Sequence, residues 1–302
     1  MNKHAQACDV LPVRQRGIAL IIVLWLIVLL GVIAAGHASN VHSETRLAMQ
    51  HIESAKARTL AEAGIQHAII SLLLRNGSPA WPVNGTPQRI VIDAREVTVA
   101  VRDATGLVDL NAADAGLLGA LLATTGEDPS QREKLVDAIL DWRDSDNLSH
   151  LHGAEDDAYR AAGLAWTARD AAFSSVDELR YVFGMTAERV AAIMPYITVH
   201  SGRGALNLEY APPSLISALT GQTLDTNDSN DGVASQERKP RAASAARNGT
   251  YHIYASATGN GKITASVEAV VRIAPTAEQA YSVLYWREPG LFQFPAQDQD
   301  ST

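Results

Sequence analysis

The 302-residue chain has a single cysteine, Cys8, so it cannot close a disulfide within itself. Its fold must rest on packing and on whatever ions its side chains hold. A GxSxG elbow, an HExxH pair and a glycine-rich phosphate loop are all missing, so an enzyme is not expected. Positive charge is scarce: 25 Lys and Arg stand against 33 Asp and Glu, for a net charge of −8. Neutralising phosphates needs a basic face, which excludes nucleic acid as a partner. Proline is absent between Pro12 and Pro79, and Gly64 is the one glycine between Gly36 and Gly77. Nothing there breaks a helix.

One long helical pattern fills that interval. Gly17 to Gly36 carries no charge, and such a run is about long enough to cross a ~30 Å hydrocarbon core. Lys3, Arg14 and Arg16 precede it and predict that the short leader stays cytoplasmic. His37 to Arg75 continues at helical spacing, with Val41, Leu47, Ile52, Ala55, Leu60, Ile65, Ala68, Ile69 and Leu72 recurring every three or four positions. A single helix over 18–75 would be roughly 85 Å long. Three readings compete for the start of the chain. A secretory signal would be cut after Gly36-His37-Ala38, before Ser39. A plain anchor would keep the span. In the third, the junction RQRG/IALIIVLW resembles the processing site of type IV prepilins and pseudopilins. The amphipathic continuation favours this last reading, because a discarded signal needs no helical sequel.

That resemblance implies cleavage after Gly17 by a prepilin peptidase and methylation of the new terminus, Ile18. Most of the family carries Glu at the fifth mature position, where it pairs with the terminal amine of a neighbouring subunit. Here that position is Ile22. A subunit without the carboxylate suits the top of a filament rather than its shaft. The family member that typically lacks it is the K-type minor pseudopilin of type II secretion systems.

Beyond the helix, Arg75 to Pro87 is a run of turn residues. Arg89 to Asp103 alternates through Ile90, Ile92, Val97, Val99 and Val101 around the polar tip Asp93–Glu96, which predicts a β-hairpin packed on the long helix. From Gly106 to Thr220 the pattern is helical, with segments at Asp114–Leu122, Gln131–Trp142, Ser175–Phe183, Ala187–Met194 and Pro213–Leu219. Leu110-Asn111 and Leu206-Asn207 each precede a leucine-rich segment, which predicts an Asn cap in both places. Gln222 to Asn248 has almost no large apolar residue and reads as a loop. Strands resume at Tyr251–Ala257 and Lys262–Ile273 around Gly259-Asn260-Gly261, then at Tyr281–Trp286. The expected class is α+β: a pilin-like long N-terminal helix on an antiparallel β-sheet, with a large inserted all-α domain of helix-hairpin-helix or SAM-like type. The expected divisions are a leader (1–17), the membrane half of the helix (18–37), its amphipathic half (38–76), the first part of the sheet (88–105), the insert (106–220), a loop (221–249), the rest of the sheet (250–287) and a tail (288–302).

The segment Ser175–Ile197 reads as a helix-hairpin-helix turning at Gly184, but Asp177, Glu178 and Glu188 flank the turn and argue for packing rather than phosphate binding. The strongest chemical signal is acidic: Asp141, Asp144 and Asp146, then His150 and His152, then Glu155, Asp156 and Asp157. Carboxylates so crowded repel one another unless a cation sits among them, and their number suits Ca²⁺. The two histidines would instead suggest Zn²⁺, though no cysteine or well-spaced third ligand supports it. A solvated acidic loop is the alternative to both.

DATGLVDLNAA, DWRDSD, GAEDDAY, SSVDELRYVFGMT and LNLEYAP resemble successive landmarks of the K-type minor pseudopilin, over about 103–213. The resemblance implies a helical insert in a pilin fold and calcium bound in that region, with Asp141, Asp144, Asp146, Glu155 and Asp156 on matching positions. It also implies a single-pass inner-membrane protein, in contact with lipid through its first helix, with its C-terminal domain in the periplasm. Its partners would be minor pseudopilins I and J, with which it would cap the pseudopilus and start its assembly for export of folded proteins. The alternatives are an anchored periplasmic calcium-binding domain and a minor pilin of a type IV pilus.

Overall fold

The computed structural model describes residues 18–74, 81–220, 249–259, 262–274 and 279–288. The leader and Gly17, the turn run at 75–80, the loop over 221–248, the hairpin tip at 260–261 and the tail beyond 288 lie outside the described residues. Two compact units divide at residues 55 and 56.

The first unit holds the N-terminal part of helix α1, Ile18–Leu73. Ile18 is its first residue, and the apolar side chains from Leu20 to Ile33, Ile22 included, are exposed. Among the described residues no helix is long and apolar enough to cross a membrane. The span expected over 18–37 extends past Ile33, the last described side chain of that run.

In the second unit the remainder of α1 lies on a sheet. Ala57, Ala61, Ile65, Ala68, Ile69 and Leu72 form one buried stripe at helical spacing. The sheet has five strands in the order β1-β2-β5-β6-β7, and every neighbouring pair is antiparallel. β1 (Gln88–Ile92) and β2 (Arg95–Asp103) form the expected hairpin, turning on Asp93 and Ala94 with φ of 49° and 58°. Two consecutive positive φ values give the turn whose twist matches paired strands. Val97, Val99 and Val101 alternate onto the helix, and so do Ile253, Ala255 and Ala257 from β5 (Gly249–Gly259). β6 (Lys262–Ile273) adds Val267, Ala269 and Val271, and β7 (Tyr281–Arg287) closes the far edge. Each such valine or isoleucine stabilises the unit by about 1.5–3 kcal/mol when fully buried. The helix sits close because Gly64 permits it: a Cβ there would meet Val97 Cγ1 and Val99 Cγ2, each at 2.9 Å.

β2 and β5 are neighbours although a long stretch of chain separates them. Asp103, at the end of β2, pairs with Tyr251 near the start of β5. The insert therefore leaves and re-enters the sheet at one end of one strand pair. Its helices are α2 (Ala115–Ala123), α3 (Pro129–Arg143), α4 (Asp156–Ala161), α5 (Ala187–Ile193) and α6 (Pro213–Thr220). Asp114 and Asp128 cap α2 and α3 by accepting from Leu117 and Gln131 backbone N–H groups at 2.8 and 3.1 Å. Leu118, Leu121, Leu122, Leu135, Ile139, Tyr159, Leu179, Ile193 and Leu215 fill a core separate from that of the sheet.

Several expectations need correction in detail. The insert is not purely helical, because β3 (Val108–Asp109) and β4 (Ile197–Thr198) pair in parallel across it. The segment expected as a helix over Ser175–Phe183 is a 3-10 turn, Val176–Tyr181. Neither asparagine caps a helix. Asn111 imitates a strand, donating from Nδ2 to Phe173 O at 3.0 Å and accepting from Phe173 N at 2.7 Å. Asn207 accepts from Glu209 N in a tight turn.

Candidate metal centre

The acidic run begins on the last turn of α3. Asp137 and Asp141 stand one turn apart on that helix, and the chain beyond it folds back so that each accepts a backbone N–H. His150 N donates to Asp141 Oδ1 at 3.1 Å, and His152 N donates to Asp137 Oδ2 at 3.0 Å. The His150 ring nitrogen Nδ1 contacts the same Asp141 oxygen. Gly153 completes the return: a Cβ there would lie 2.7 Å from Asp141 Cγ and closer still to Oδ2. Glu155 then occupies the N-cap position of α4 without capping it, so its carboxylate is turned elsewhere.

These groups converge. One oxygen each of Asp141 and Asp144 and one ring nitrogen of His150 lie within 4.8 Å of one another. Asp141 is fully buried and Glu155 is 5% exposed. Asp141 Oδ2, Asp144 Oδ1 and both Glu155 oxygens are buried with no hydrogen-bond partner. Leaving such oxygens anionic and unpaired is costly. The Glu155 carboxyl responds by rising to about 7, first through burial and then through Asp141, Asp170, Asp144 and Asp146. Burial likewise raises Asp144, and Asp141 and Asp146 push it the same way. His150 is raised, chiefly by its hydrogen bond to Asp141.

Two arginines of this stretch make their hydrogen bonds elsewhere. Arg143, between Asp141 and Asp144 in sequence, donates instead to Leu110 O and, at 2.7 Å, to Ala113 O. Arg160 pairs with Asp156 at 2.7 Å and also with Asp157. Aromatic rings pack together beginning at Trp142, the residue after Asp141. Trp142 lies 6.2 Å from Tyr159 and 6.1 Å from Phe173, and Tyr159 lies 5.4 Å from Phe183. The Tyr159 hydroxyl accepts from Phe183 N at 2.9 Å.

Of the five carboxylates singled out in the sequence, Asp141 and Asp144 converge with His150, and the buried Glu155 is near enough for both charges to raise it. Asp146 is exposed and accepts from Leu148 N, yet it is near enough to raise Glu155 and Asp144. Asp156 is held by Arg160, with one oxygen buried and unpartnered. Asp170 was not anticipated. Its Oδ1 is buried without a partner, its backbone has a positive φ of 53°, and its charge raises Glu155. It stands alone beyond α4, outside the acidic run, and nothing local in Ala168-Arg169-Asp170 marks it. A non-glycine residue in the left-handed region is the structural sign that would have found it.

Residues 98–202 match the family model described as type II secretion system (T2SS), protein K. The type II secretion system protein K of Pectobacterium carotovorum subsp. carotovorum is 28% identical over 207 residues, covering 61% of this chain and 62% of that protein. The protein of the same name from Klebsiella pneumoniae is 28% identical over 205 residues, with the same coverage of 61% and 62%. The match thus spans about 62% of the length of these relatives. The crystal structure of the GspK–GspI–GspJ complex from the enterotoxigenic Escherichia coli type 2 secretion system has a chain with the same fold. The TM-score is 0.54 at 18% identity, covering 82% of this chain and 99% of that one. Over residues 98–202 the chain is thus similar to protein K of type II secretion systems, and its relatives of that name extend the likeness to 61% of its length.

Proposed function

We propose that this chain is the minor pseudopilin K that caps the tip of the pseudopilus and helps to start its assembly, for export of folded periplasmic proteins across the outer membrane. The observation that carries the tip position is Ile22, an exposed aliphatic residue on α1 where a shaft subunit has a carboxylate. Without that carboxylate the subunit offers nothing to the amine of a subunit above it. The fibre then grows only from below. Cleavage after Gly17 and methylation of Ile18 release the helix from its leader, and the apolar run from Ile18 holds the subunit in the inner membrane before assembly. An uncharged span avoids placing an ion in hydrocarbon.

Its proposed partners are the smaller minor pseudopilins I and J, and the support is that the structural relative was solved in a complex with GspI and GspJ. The contacts would be made by helix packing, since the first half of α1 presents no acid or base between Ile18 and Ile33. The role is assembly rather than catalysis.

The insert is proposed to hold Ca²⁺ through Asp141, Asp144 and Glu155, with Asp146 and Asp170 close enough to contribute oxygen. The buried orphan oxygens fit a hard cation that accepts six to eight such ligands. A bound ion would neutralise the cluster and pin the loop 144–155 between α3 and α4.

The test is co-expression of the full-length chain with I-type and J-type pseudopilins and capture through a tag on this chain. Recovery of both partners in one complex supports the tip reading. Recovery of neither leaves an anchored calcium-binding domain, and capture of type IV minor pilins instead would move the chain to a different filament.

A further inference from the structure

An oxygen-binding ion leaves one donor of this centre unused. One ring nitrogen of His150 lies within 4.8 Å of donor oxygens of Asp141 and Asp144, and Nδ1 is the one in contact with Asp141. Both the backbone N–H and the ring nitrogen of His150 face Asp141 Oδ1, so loop and side chain converge on one point. His152, two residues on, turns away to Asp137, its Nδ1 3.6 Å from Oδ2. Independently of the acidic cluster as such, Asp141 is fully buried with Oδ2 unpartnered, and Glu155 is 5% exposed with both oxygens unpartnered.

We infer that this centre also takes a first-row transition-metal dication, with Zn²⁺ as the reference ion, through His150 Nδ1, Asp141, Asp144 and Glu155. The inference rests on the reading that the centre holds a cation at all, and it adds which ion and which nitrogen. Imidazole suits Zn²⁺ and other late first-row dications, whereas Ca²⁺ selects oxygen. Zn²⁺ is satisfied by four donors at ~2.0–2.2 Å, so one nitrogen and three carboxylates suffice. Ca²⁺ needs more ligands and would draw on Asp146, Asp170 or water. The ring of His150 is 44% exposed, so its second nitrogen reaches solvent while Nδ1 faces the centre. If His150 served only as an imidazolium paired with Asp141, it would repel a dication instead of binding one.

The experiment uses the full-length chain in detergent, stripped by chelator and titrated separately with Ca²⁺, Zn²⁺ and Co²⁺. Thermal midpoint and the visible spectrum of Co²⁺ are read. Zn²⁺ and Co²⁺ should raise the midpoint, and Co²⁺ should show the intense bands of a four-coordinate nitrogen–oxygen site. His150→Gln should weaken Zn²⁺ and Co²⁺ binding by at least about tenfold, since even outer-shell changes cost that much. The Ca²⁺ response should survive in His150→Gln, and also in His150→Asp, which supplies oxygen in place of nitrogen. His152→Gln should leave all three titrations unchanged and so controls for other histidines. An unaltered cobalt spectrum in His150→Gln, or stabilisation by Ca²⁺ with none by Zn²⁺ and Co²⁺, overturns the inference and leaves the calcium reading standing. If no cation raises the midpoint, both fall together.

Discussion

Gly153 has no side chain because the Asp141 carboxylate occupies that space: a Cβ there would lie 2.7 Å from Asp141 Cγ. The glycine is required by the close approach of backbone to carboxylate rather than by its dihedral angles. Gly153→Ala should therefore push Asp141 out of its place. We expect a loss of roughly 1–3 kcal/mol, the usual cost of overpacking a buried site, and loss of the Ca²⁺ effect. Urea unfolding with Ca²⁺ and with chelator measures both. Equal midpoints for wild type and variant in Ca²⁺ would show that the carboxylate is not held as described.

The centre predicts a pH dependence with a definite sign. Burial and neighbouring carboxylates raise Glu155 from 4.5 to about 7, so the folded state binds its proton more tightly than the unfolded state does. Its contribution is present below about pH 4.5 and is lost as pH rises through 7. Asp144 and His150 are also raised, and they act in the same direction. Chelated protein should then lose stability between pH 5 and pH 8, and Glu155→Gln should flatten the decline. Under the proposed reading a bound Ca²⁺ would take the place of the proton, so Ca²⁺ should stabilise more at pH 8 than at pH 5. A calcium effect that grew as pH fell would contradict this.

Gly64 tests how the helix meets the sheet. Gly64→Leu would drive a side chain into Val97 and Val99, where a Cβ alone already comes within 2.9 Å of each. The expected loss is about 1–3 kcal/mol or more, with no change in the response to Ca²⁺, because the insert has its own core. A changed Ca²⁺ midpoint shift in this variant would couple the two cores.

Ile22→Glu tests the tip assignment. The substitution restores the carboxylate that shaft subunits carry, so the variant should enter the fibre along its length. Immunogold labelling of pseudopili checks this. Labelling that stays at the tip would show that Ile22 does not set the position.

Much of the fold was legible because its signals are local. The alternation of Val97, Val99 and Val101 gave a strand, Asp114 gave a helix start, and the spacing of Ile65, Ala68, Ile69 and Leu72 gave the buried face of α1; α3 begins at Pro129, two residues before the expected Gln131, because Asp128 caps it. What was missed depends on partners distant in sequence. β3 and β4 are two residues each, too short for any periodicity, and they pair because the chain after α5 returns beside the start of the insert. Asn111 looked like a cap because asparagine often is one, but its amide is committed to Phe173, 62 residues away. The acidic run showed where charge crowds. It could not show that Arg160 takes Asp156, that Arg143 turns to backbone carbonyls, or that the charge of Asp170, beyond α4, acts on Glu155.

The most direct test of the account is the mature N-terminus, read by mass spectrometry after co-expression with a prepilin peptidase. The account predicts a chain beginning at N-methylated Ile18. A chain beginning at Ser39, or one retaining Met1 in the presence of active peptidase, would contradict it and remove the filament.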